Sequence, residues 1–164
     1  MQMLSHVADT YDNSDDVNLA GYADSLEVYT ASVASLLVAG RASGLRLPDS
    51  YSVQDLAVGG IATHKLTRLL SRASVTSPLR APFTEFEKSA GSGEHVESPR
   101  GSHGVRHTIG ELLTCPFCLG VWVGTTYVAG LVVAPRPTRA LAALLTVVAL
   151  SDTMQHGYAR LRGD

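Results

Sequence analysis

Charge is the scarcest commodity in this 164-residue chain. Asp, Glu, Lys and Arg together make up 17% of it, and the formal net charge is −2. A chain so weakly charged sets up no global field to draw nucleic acid, and it has neither a basic domain nor an aromatic platform for bases. Aromatic residues are also few, at 6%. Two cysteines are too few for a disulfide framework. A phosphate-cradling glycine loop, a Gly-x-Ser-x-Gly elbow and a His-Glu-x-x-His pair are all missing, which removes the commonest enzyme signatures. The first residues include no Lys or Arg, so there is no basic n-region and no visible secretory signal. Apolar residues, at 45%, are what remains, and this leans towards a membrane or strongly helical chain.

Residues 1–27 carry Asp9, Asp12, Asp15, Asp16, Asp24 and Glu27 with scattered apolar residues, the pattern of an acidic, loosely held tail. Residues 28–164 are expected to form a helical membrane domain. Val28–Gly40 is apolar but shorter than the ~20 residues of a bilayer span, and is expected to be a membrane or interfacial helix. Asp55–Arg72 has a helical pattern, with Asp55 in the first turn and bases in the last, as the helix dipole favours. Its Gly59-x-x-x-Thr63 side suits close packing against another helix. Lys65, Arg68 and Arg72 share one side of its C-terminal half, a candidate contact for lipid head groups or a partner. His64 on the same helix is a candidate member of a buried polar site.

Pro78 and Pro82 break the helix in TSPLRAPF. Arg80 between them is a further candidate for pairing with a phosphate, a lipid head group or a carboxylate. A polar linker is expected over about 73–108, because KSAGSGEHVESPRGSHG reads as exposed loop. From Glu111 to Arg136 runs an uncharged stretch that meets the ~20-residue criterion for a membrane helix. Gly120-x-x-x-Gly124 within it is a helix-packing pattern. After APRPTR, the run Ala140–Ser151 is apolar and the pattern continues to Tyr158, which points to a C-terminal helical hairpin. Asp152 and His156 lie four apart on one face, either as a structural pair or, with His64, as a buried proton or ion site. Basic residues outnumber acidic ones from Lys65 to Arg106, so the linker and the C-terminus are expected on the cytoplasmic side.

Taken together, LAVGGIATHKLTRLL, TSPLRAPF and GELLTCPFCLGVW resemble a bacterial membrane family catalogued as domain of unknown function 1360. The resemblance covers about Val53 to Tyr158. It implies a small polytopic membrane protein and carries no catalytic assignment.

The expected fold is therefore all-α: a polytopic integral membrane protein of about three to four membrane helices, including the C-terminal hairpin. The expected role is that of an interaction or scaffold component of the bacterial cytoplasmic membrane, binding lipid, a second copy or a membrane protein partner. Two alternatives centre on Cys115-x-x-Cys118. As thiolates, these cysteines supply half of a tetrahedral zinc site, which His103 and His107 would complete in the order H-x3-H-x7-C-x2-C. As a redox pair, CPFC resembles the motif of thioredoxin and glutaredoxin proteins, and a helix start there would favour thiolate. The bland alternative is that both cysteines simply pack a helix entrance.

Overall fold

The computed structural model describes Tyr11 and residues 17–163. Helix α1 spans Leu19–Ala42, and Asn18 caps it by accepting the Gly21 N–H. Helix α2 spans Val53–Ser71, with the Ser52 hydroxyl accepting the Asp55 N–H. A 3-10 turn at Ser74–Thr76 leads into the one-turn helix α3, Ser77–Arg80. Strands β1 (Thr84–Gly91) and β2 (Glu94–Pro99) then pair antiparallel. Three helices finish the chain: α4 (Val105–Thr114), α5 (Pro116–Val133) and α6 (Pro135–Arg162).

Two expectations are overturned here. The chain is not all-α, because the stretch read as a polar linker folds into a β-hairpin. Its turn is the segment Gly91, Ser92, Gly93, all at positive φ, which two glycines make accessible. Nor is the chain a polytopic membrane protein of three to four spans. Among the described residues only α5 is long and apolar enough to cross a membrane, with a mean hydropathy of 1.6. The reason is charge spacing. In α1 the apolar run Val28–Gly40 lies between Glu27 and Arg41, and in α6 the run Ala140–Ser151 lies between Arg139 and Asp152. Both runs are well short of the ~20 residues a span requires. The acidic segment also changes character: its first part lies largely outside the described residues, but Leu19 to Glu27 is the first part of α1.

Helix α2 is the element on which α5 and α6 are laid. Asp55 forms an ion pair with Arg139, Val58 accepts a hydrogen bond from Thr146, and Lys65 pairs with Asp152, so α2 and α6 run in the same direction. Helix α5 runs opposite to both, because Ala134 alone joins it to α6. The expected two-helix hairpin is thus a three-helix layer, with α5 and α6 packing mainly on α2. Gly59 makes the α2–α5 contact possible. A Cβ there would lie 2.1 Å from the Tyr127 ring, whose hydroxyl donates to the Asp55 carbonyl at 2.8 Å. The other expected packing pair, Gly120 and Gly124, faces open space.

Helix α1 is fastened to α4 and α5 by polar side chains. Asn18 donates to Thr108 at 3.0 Å and to Glu111 at 2.6 Å, and the Tyr22 hydroxyl donates to Glu111 at 2.9 Å. Further along, Tyr29 meets Thr125 at 2.8 Å and stacks edge-on against Trp122.

The end of α2 is tied to the hairpin through Arg80, which is completely buried. Its guanidinium donates to the Leu70 carbonyl at 2.9 Å and the Ala73 carbonyl at 3.2 Å, to Thr76 at 2.7 Å, and to both oxygens of Glu97 at 2.9 and 2.6 Å. Thr84 and Ser77 donate to the same carboxylate at 2.7 and 3.0 Å. The His95 N–H donates to the Arg72 carbonyl at 2.8 Å. Carbonyls that the end of a helix leaves without intrahelical partners are therefore met by one cation. The counter-charge sits on β2. Burial pushes the Glu97 carboxyl up, but hydrogen bonds from Arg80, Thr84 and Ser77 outweigh it and hold the group at about 2.

A carboxyl held below its unfolded value adds stability above that value and loses it as pH falls towards the folded one. Glu97 should therefore contribute on the order of 3 kcal/mol near neutrality, disappearing between pH about 4.5 and about 2. Urea melts across that range should show the loss in the wild type. Glu97→Gln should start lower by about 3–5 kcal/mol, because it strands a buried guanidinium, and should lack this component of the acid dependence.

Candidate functional site

The parallel arrangement of α2 and α6 leaves an open groove of about 1100 Å³ between their C-terminal halves, closed at one end by the hairpin turn. His64, Lys65 and Arg68 enter it from α2, Asp152 and His156 from α6, and Glu94 from β2. Helical spacing dictates the α2 set: positions 64 and 68 are four apart, so they share a face, with 65 beside them. Lys65 forms an ion pair with Asp152 across the two helices. Arg68 meets Glu94 with both donors, Nε lying 3.0 Å from Oε1. Each cation in the groove is thus matched by a carboxylate. The two imidazoles, His64 and His156, complete a lining that offers donors and acceptors of both signs and no net field for an ion of either sign.

The structure brings together residues that the sequence distributes between two readings. The polar candidates His64, Asp152 and His156 and two of the basic candidates, Lys65 and Arg68, line one groove. Asp152 does not serve His156, its neighbour one turn on, but reaches Lys65 instead. Arg72 lies outside the groove and caps α2, its N–H donating to the Arg68 carbonyl. Arg80 cannot be a lipid or partner contact, because it has no exposed surface and is spent on Glu97 and the helix end. Glu94 and Glu97 are the functional partners that sequence reasoning misses. Both lie in the stretch that reads as loop, and at three positions apart they make no strand alternation that would have marked them.

At the second centre, the zinc set does not assemble. Cys115 and Cys118 are joined to one another as a disulfide. His103 is exposed ahead of α4, and the His107 ring faces Glu111, with Nε2 3.8 Å from Oε1. Among the described residues no group of three or more His, Cys, Asp or Glu is placed to hold a metal ion. Cys115 is the N-cap of α5, its sulfur accepting the Cys118 N–H at 3.1 Å, and Pro116 begins the helix where the missing N–H costs nothing.

A third polar node closes the opposite end of the layer. Asp55 receives two hydrogen bonds from Arg139, each at 2.8 Å, and these with the Ser52 contact hold its carboxyl down at about 2.

The family described as "Protein of unknown function (DUF1360)" matches residues 58–158. The chain belongs to this family. The matched region carries the groove, the Arg80–Glu97 pair and both cysteines, and leaves α1 outside. A curated relative, "Sporulation protein YjcA" of Bacillus subtilis (strain 168), is 32% identical over 98 residues, covering 58% of this chain and 82% of that protein. No solved structure matches the chain.

The Lys65–Asp152 pair should act as a weak latch, since the Asp152 side chain is 42% exposed. A double-mutant cycle with Lys65→Met and Asp152→Asn should give a coupling energy below about 1 kcal/mol by denaturant melts. The same cycle at Arg80 and Glu97 should give several-fold more.

Proposed function

We propose that this protein is a small membrane-associated interaction protein, working by contact with lipid and with a protein partner or second copy at the bacterial cytoplasmic membrane. The observation behind this reading is the balance of apolar surface. Among the described residues the buried hydrophobic side chains are Ala62, Leu119, Leu131 and Ala142. Large apolar side chains meanwhile stand exposed along α1 (Leu36, Leu37), α5 (Val121, Val128) and α6 (Leu144, Val147). Exposed apolar surface spread over several helices marks an interface with lipid or protein. Helix α5 also has the length and composition of a span. The Bacillus relative's name places that protein in sporulation and states no chemistry, so the proposal draws its chemistry from this chain alone.

Orientation follows from the basic residues. The hairpin end carries Arg68, Arg72, Arg80, Arg100 and Arg106, and the excess of cations there favours the cytoplasmic side. Arg160 and Arg162 close α6 at the same end.

Flotation with vesicles of anionic bacterial lipid tests the reading. The wild-type chain should float with the vesicles, and Val121→Asp with Val128→Asp should lower the bound fraction at least several-fold while the helical circular dichroism is kept. A wild-type chain that stays at the bottom of the gradient, monomeric without detergent, refutes the proposal.

A further inference from the structure

We propose that the Cys115–Cys118 disulfide is a thiol–disulfide exchange site acting on a cysteine pair of another protein. The inference does not rest on the membrane reading above. The two residues are three apart and both belong to the entrance of α5, so the cross-link joins no separate elements of the fold. A loop this small removes little entropy from the unfolded chain, so the bond contributes little as a structural staple. The turn it spans is already held by the Cys115 cap and by Pro116.

Access and electrostatics then favour exchange. Cys118 is exposed and Cys115 half-buried. Phe117 between them is 89% exposed, an apolar contact for an incoming peptide. The Cys115 sulfur sits at the N-terminus of an 18-residue helix and already accepts a backbone N–H. A negative charge on that sulfur is stabilised by the helix dipole and by this donor.

The chemistry follows from that asymmetry. A substrate thiolate attacks the exposed Cys118 sulfur. The Cys115–Cys118 bond breaks, a substrate–Cys118 disulfide forms, and Cys115 leaves as thiolate at the helix N-terminus. The second thiolate of the substrate pair attacks the substrate sulfur of that mixed disulfide, giving the substrate disulfide and a Cys118 thiolate. Two electrons pass from the substrate dithiol to this protein, and the protons lost by the substrate thiols are taken up by Cys115 and Cys118. The same steps in reverse reduce a substrate disulfide.

The test uses the full chain in detergent, with dithiothreitol as the dithiol probe. One equivalent should reduce the native protein to two maleimide-reactive thiols, with the helical circular dichroism unchanged. In Cys118→Ser, the remaining Cys115 thiol should form a mixed disulfide with glutathione disulfide at pH 7 about tenfold faster than in urea, as a helix-stabilised thiolate would. Reduction that requires denaturant, or that collapses the helical signal, overturns the proposal in favour of a structural bond. A Cys115 thiol no faster in the folded variant than in urea also overturns it. Should Cys118→Ser fail to fold, the wild-type reduction alone decides between the two.

Discussion

One buried guanidinium organises the polar half of this molecule. Arg80 meets the open carbonyls at the end of α2, the hydroxyls of the turn that follows, and a carboxylate on β2. Remove it, and the carbonyls of Leu70 and Ala73 at the end of α2 lose their shared donor while Glu97 is left buried without a counter-charge. Other ties join β2 to the helices, among them the Arg68–Glu94 pair and the His95 N–H on the Arg72 carbonyl, but β1 is exposed along nearly its whole length. In a two-stranded sheet with so little apolar cover, attachment to a helix end has to substitute for a core.

The helical elements are legible in the sequence to the extent that local signals define them. Asp55 and the bases at the other end mark α2 nearly to its observed limits, because capping and dipole effects operate within one turn. The uncharged run after Glu111 marks α5, with Pro116 at its start. The hairpin is not legible. Its strands hold Phe86 and Val96 amid Gly, Ser and charged residues, and that composition suits a loop equally well. Length is the stronger clue, since a structureless segment running from Glu85 to Arg106 within a small domain is itself improbable.

The sites divide in the same way. Lys65, Arg68 and His64 can be grouped from helical spacing, and so can Asp152 and His156, but only the parallel course of α2 and α6 joins the two groups. Arg80 stands out as a residue between prolines, and its fate depends on Glu97, seventeen positions away on a strand that spacing does not reveal. Overcounting of membrane spans has a physical cause as well. Apolar runs in α1 and α6 resemble spans until the charges on either side are counted, and then each proves too short.

The two ends of the helical layer are secured by different kinds of ion pair. At one end Arg139, 57% exposed, holds Asp55 in contact with water, whereas at the other Arg80 and Glu97 are sealed from it. Dissolved counter-ions screen the first and scarcely reach the second. Rising ionic strength should therefore weaken the exposed pairs that join α2 to α6, Asp55–Arg139 and Lys65–Asp152, while the sealed tie between α2 and the hairpin holds. The salt-sensitive seam is thus the one between α2 and α6, and not the one between α2 and the hairpin.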